Sequence, residues 1–123
     1  GCKITLEELS KHIGIIILTN MPNEHVINRI KALENNGMFY DVIVNKGGKG
    51  EVCAELEKKT DNSVFFIDDS PNQIASVAYK TKNIFKIHFL QNPKLLKILP
   101  QVTKSDYNTN DWGQIKEIIL NNI

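Results

Sequence analysis

Short runs of strand-forming apolar residues alternate along this chain with stretches of helical spacing, and that alternation restricts the fold more than any single residue does. The runs are Ile15 to Leu18, Val42 to Val44, Val64 to Ile67 and Ile84 to Leu90. Before and between them lie helical patterns: Lys3 to His12, with Thr5 as a cap and Ile4, Leu6, Leu9 and Ile13 recurring in phase, and a stripe of Val26, Ile27, Ile30 and Leu33 after Pro22 that stops near Asn35-Asn36-Gly37. Further helices are expected over Gly50 to Lys59, Pro71 to Tyr79 and Pro93 to Leu99. A closing helix is capped by Asp111, with Trp112, Ile115, Ile118 and Ile119 inward. Continuous apolar strands separated by helices call for an α/β fold with a parallel sheet covered on both faces. A loop is expected from Gln101 to Asn110, the least readable part of the chain.

A sheet wound this way binds ligands at the carboxyl ends of its strands, beside the point where its winding reverses. Three of the runs stop there on polar residues: Thr19-Asn20, the loop Asn45-Lys46-Gly47-Gly48-Lys49, and Asp68-Asp69. The last is the most informative. Two adjacent acids at the end of a buried strand repel each other and are costly without a cation, so Asp68 and Asp69 are candidate ligands for magnesium, which binds through one or two carboxylates plus phosphate and keeps several waters. A helix cap would employ Asp69 or Ser70 and leave the other acid unexplained. Lys49 stands where a glycine-rich loop enters a helix and can neutralise phosphate, the glycines allowing close approach of the backbone; a solvated loop lysine is the plain alternative. Thr19 and Asn20 precede a helix start, where a hydroxyl and backbone N–H groups can hold an anion, or where Asn20 can simply cap.

With 123 residues the chain is sized for one domain, and its formal net charge of +1 offers no electrostatic footprint for nucleic acid or anionic lipid. No apolar run approaches the roughly 20 residues needed to span a bilayer, and the amino end lacks signal-peptide patterning; a cytoplasmic location is expected. Cys2 and Cys53 have neither a disulfide framework nor zinc spacing, and Cys53 reads as a small buried apolar residue. His12, His25 and His88 are scattered and read as structural or solvated.

Ile-Leu-Thr-Asn (Ile17 to Asn20), the lysine before a helix (Lys49) and Phe-Phe-Ile-Asp-Asp-Ser-Pro-Asn (Phe65 to Asn72) follow the order and spacing of the second, third and fourth motifs of the haloacid dehalogenase superfamily, which the chain resembles from Gly1 to about Leu90. Thr-Asn-Met-Pro, the Lys-Gly pair and Ile-His-Phe are similar to an uncharacterised bacterial group within it. The resemblance implies a three-layer α/β sandwich with a Rossmannoid core and a magnesium-dependent phosphohydrolase chemistry acting on a phosphorylated small molecule through an aspartyl-phosphate. It would make Thr19 and Lys49 catalytic, with Thr19, Asn20 and Lys49 on the phosphate and Asp68 and Asp69 on Mg2+.

Two departures accompany the resemblance. Gln73 stands where many members carry a second acid, and the Asp-x-Asp pair of the first motif, which supplies nucleophile and general acid/base, does not occur in the chain. The family's first strand lies between those matching Ile15 to Leu18 and Val64 to Ile67. The chain is therefore expected to be the carboxyl-terminal part of a longer protein, with edges that invite self-association or pairing with the missing segment. The alternative is a non-catalytic binding or regulatory module that keeps the crevice. A phosphoacceptor receiver domain has similar residues in the wrong order.

Overall fold

The computed structural model describes residues 2–20, 23–90 and 105–123. The order is α1 (Cys2–Leu9), β1 (Ile16–Thr19), α2 (Asn23–Asn35), β2 (Asp41–Val44), α3 (Gly50–Lys58), β3 (Phe65–Asp68), α4 (Pro71–Lys80), β4 (Phe85–Phe89), β5 (Tyr107–Thr109) and α5 (Trp112–Leu120). The fold is α/β, and every strand pairing among the described residues is parallel. The backbone divides into two compact units, residues 1–47 and 48–123.

In the first unit β1 and β2 pair in register from Ile16 with Asp41 to Thr19 with Val44. The α1 helix begins before Thr5, so Thr5 is not its cap: it sits inside the helix and is buried on the same face as Leu9, four residues on. Ile4, expected inward, is 61% exposed, and Ile27, expected in the buried stripe of α2, is 66% exposed. In both helices the inward arc is narrower than the apolar composition suggests. Val26, Ile30 and Leu33 keep the α2 stripe half-buried. That helix stops where the sequence marks it, with Gly37 N–H donating to Glu34 and Met38 N–H to Leu33. The placement of Pro22 lies outside the described residues.

The second unit holds most of the fully buried side chains. Its sheet runs in the order β3-β4-β5, with Phe65 opposite Phe85, Asp68 opposite His88 and Phe89 opposite Thr109. On the central strand Ile87, His88 and Phe89 are all buried. Successive strand side chains point to opposite faces, so this sheet is covered on both sides at its middle. Ile74 and Val77 of α4 and Ile115 and Ile119 of α5 join the core, and Trp112 packs on Phe89 at a ring separation of 4.8 Å.

Three features differ from the sequence reading. Thr19 and Asp68 are the last residues of β1 and β3 rather than the first beyond them. Tyr107–Thr109, within the expected loop, is instead a strand, β5, paired to β4 although Tyr-Asn-Thr has no apolar pattern. The winding reversal expected in the sheet is not found within either ladder of the described residues, where strand order is sequential. The helix expected over Pro93 to Leu99 lies outside the described residues. No helix among the described residues is long and apolar enough to cross a membrane.

Candidate functional site

The candidate site of the second unit is built where β3 hands over to α4. Phe65, Phe66 and Ile67 carry the chain through the sheet, and Asp68 ends the strand with its side chain only 7% exposed. A lone carboxylate there would be heavily penalised by desolvation. Both of its oxygens are satisfied: Oδ1 accepts the Ser70 N–H at 2.9 Å, and Oδ2 accepts Lys49 Nζ at 2.8 Å, the lysine side chain being 14% exposed. The lysine and the acid are 19 residues apart in sequence and meet as a mostly buried ion pair.

What brings Lys49 there is the seating of α3 against α4. The first N–H groups of a helix have no partner within it. Here the Lys49 N–H donates to Gln73 Oε1 at 2.8 Å and the Gly50 N–H to Ser76 Oγ at 3.0 Å, so two α4 side chains cap the amino end of α3. The close approach depends on Gly50. A Cβ at that position would lie 2.8 Å from the Ser76 carbonyl carbon and 2.7 Å from Lys80 Cγ, and closer still to the Ser76 carbonyl oxygen. At Gly48 a Cβ would meet Ser76 Oγ at 2.5 Å. The pattern of the glycine-rich loop predicts close access of a ligand to the backbone; at Gly48 and Gly50 the missing side chains instead make room for α4. Gln73 has a definite task in this clamp, holding the Lys49 N–H through its side-chain oxygen.

The helix-cap alternative for the acid pair is also resolved. Ser70 is the cap of α4, its hydroxyl accepting the Gln73 N–H, and Pro71 follows in the first helical turn. Asp69 is not the cap. Its carboxylate is solvent-exposed and has no ion pair or side-chain hydrogen bond among the described residues. Its backbone carbonyl, by contrast, is held: His88 Nε2 lies 3.1 Å from the Asp69 oxygen. His88 is the residue that sequence reasoning passes over. It is 3% exposed, and its strand register opposite Asp68 is the only signal that places it beside the acids.

Cys53 lies one turn into α3, and burial pushes its thiol up to about 11, with Lys49 opposing and Asp68 and Glu57 adding to the rise. The thiol is protonated near neutral pH and is a packing residue, not a nucleophile.

Magnesium needs only one or two protein carboxylates; here Asp68 is anchored beside a lysine and Asp69 is exposed to solvent. No group of three or more His, Cys, Asp or Glu side chains suited to a metal occurs among the described residues.

Thr19 and Asn20 stand at the carboxyl end of β1 in the first unit. There Asn20 Nδ2 donates to the Gly47 carbonyl at 2.6 Å, Asn45 Nδ2 donates to Asn20 Oδ1 at 3.2 Å, and the Asn45 N–H extends the ladder to the Thr19 carbonyl. Gly47 has φ +79, a left-handed conformation suited to glycine, which turns its carbonyl toward these amides. Asn20 thus ties the two strand ends together, a task that neither capping nor phosphate binding suggests, and Asn45 is its unforeseen partner.

Comparison with protein-family models, curated proteins and solved structures finds no match to this chain.

Proposed function

We propose that the chain is the phosphate- and magnesium-binding portion of a phosphohydrolase of haloacid dehalogenase type. The observation that carries the reading is the Lys49–Asp68 ion pair followed by Asp69, whose carboxylate has no partner among the described residues, at the end of a parallel strand. A buried ion pair is a weak device for stability, because desolvating both charges offsets most of their attraction. It is better understood as a charged centre held ready for ligands. Asp69 with Asp68 would hold Mg2+, and Lys49 would neutralise phosphate oxygens. The bound ion would screen charge on the phosphoryl group. Thr19 and Asn20 take their phosphate role from the resemblance of the motif that contains them.

The residues present supply binding and charge neutralisation but no Asp-x-Asp pair to accept the phosphoryl group. Turnover is accordingly expected only when such a strand is supplied. The test is calorimetric titration with MgCl2 of the wild type and Asp69→Asn, followed by an aryl phosphate assay on the 123-residue chain and on a polypeptide carrying an additional Asp-x-Asp strand. Weak magnesium binding that is lost in Asp69→Asn, with turnover by the longer polypeptide alone, is the expected result. Equal titration of both proteins would remove Asp69 from the metal site. Magnesium binding without turnover by either polypeptide would favour the non-catalytic module.

A further inference from the structure

His88 has a role that the function proposed above does not include. It lies on the middle strand of the second unit's sheet, buried to 3% exposure, with Nε2 3.1 Å from the carbonyl oxygen of Asp69. A carbonyl oxygen can only accept, so this contact is a hydrogen bond in the tautomer that carries the proton on Nε2. On the other side of the same peptide, the Ser70 N–H donates to Asp68 Oδ1, and Asp68 Oδ2 is held by Lys49. The acid loop is thereby pinned at Asp68 through its side chain and at Asp69 through its backbone. Among the described residues the Asp69 carboxylate itself meets no hydrogen-bond or ion-pair partner that would orient it.

We infer that His88 is a positioning residue for the Asp69 carboxylate: by donating from Nε2 to the Asp69 carbonyl it fixes the backbone from which that carboxylate projects toward a divalent cation. The inference rests on the magnesium reading for its consequence but not for its geometry. Magnesium tolerates little departure from octahedral coordination, so a ligand on an unanchored loop loses affinity even when the ligand itself is intact. Loss of partners that orient metal ligands costs about 10- to 100-fold in metal affinity.

Three proteins separate the donor from the bulk of the ring: wild type, His88→Gln, whose amide can reach as Nε2 does, and His88→Phe, which keeps the ring volume without a donor. Two quantities are read in each, the dissociation constant for Mg2+ by calorimetry and the exchange rate of the Ser70 amide by NMR. The expected result is about tenfold weaker Mg2+ binding and faster Ser70 exchange in His88→Phe, with both restored to near wild type in His88→Gln. Unchanged exchange in His88→Phe, or an equal loss in His88→Gln, would overturn the role. If wild type binds no Mg2+ while Ser70 exchange still follows the donor, the magnesium reading falls and the anchoring by His88 stands. Should His88→Phe not fold, the wild-type ring decides: its nitrogen shifts must show the proton on Nε2, and a bare Nε2 refutes the hydrogen bond.

Discussion

Gly50→Ala perturbs the site while touching none of its polar side chains. The new methyl would lie 2.7 Å from Lys80 Cγ and 2.8 Å from the carbonyl carbon of Ser76. The lysine stem can swing away, but the Ser76 backbone belongs to α4, so the two helices must separate. Overpacking of this kind costs about 1–3 kcal/mol, and a clash with backbone belongs at the upper end. Separation also stretches the Gly50 N–H bond to Ser76 Oγ, worth about 1 kcal/mol. Alanine returns up to about 1 kcal/mol of helix propensity, leaving a net loss of about 3 kcal/mol. With a urea slope of about 2 kcal/mol per M, the midpoint should fall by about 1.5 M. Gly14→Ala is the control: its φ is not in the left-handed region and nothing lies within 4 Å of the added carbon, so that midpoint should hold or rise slightly. Urea unfolding followed by circular dichroism reads both. A Gly50→Ala midpoint equal to wild type would refute the close seating of α3 on α4, and with it the account of how Lys49 reaches Asp68.

The ion pair itself predicts a non-additive cycle: Lys49→Met should destabilise by about 3 kcal/mol because Asp68 is left buried without its cation, and adding Asp68→Asn should recover part of that loss. Strict additivity in urea unfolding would mean the two side chains do not interact in solution. Ser70→Ala removes the α4 cap and should cost about 1 kcal/mol, with an unchanged midpoint pointing to another cap. Cys53 predicts an alkaline limb. Its thiol is raised in the folded protein from 9.0 to about 11, so the stability it contributes is complete below pH 9, where both states hold the proton, and is lost as pH rises through 11. Over that interval the loss should be roughly 1–2 kcal/mol once solvent screening is allowed for. Cys53→Ala should flatten the wild-type decline between those pH values, and an identical decline in both proteins would remove burial of the thiol as its cause.

Among the described residues, local signals in the sequence are enough for the helices and for most strand positions. Ser70-Pro71 and Asp111 act through atoms two or three residues away, and the apolar runs at Ile15, Val42 and Val64 need only their own composition to be strands. Such effects span a turn or less, and a linear reading captures them. The same reading puts Lys49, Asp68 and Asp69 at the ends of elements that are there in the fold. It cannot see Tyr107–Thr109 as a strand, because that segment is held by its ladder to β4 and by burial of Thr109, not by its own propensity. Nor can it see which way the arcs of α1 and α2 face, since Ile4 and Ile27 fit a helical stripe equally well inside or out. The chemistry of the second unit's site is decided by packing. Lys49 meets Asp68 across 19 positions only because Gly50 lets α3 settle on α4, where Gln73 and Ser76 receive its free N–H groups. His88 reaches the Asp69 carbonyl only because strand register sets it opposite Asp68. Residue identity thus determined which charges and caps this chain possesses. Their partners followed from tertiary structure, because an ion pair or hydrogen bond between distant residues forms only after the apolar core has brought their backbones together.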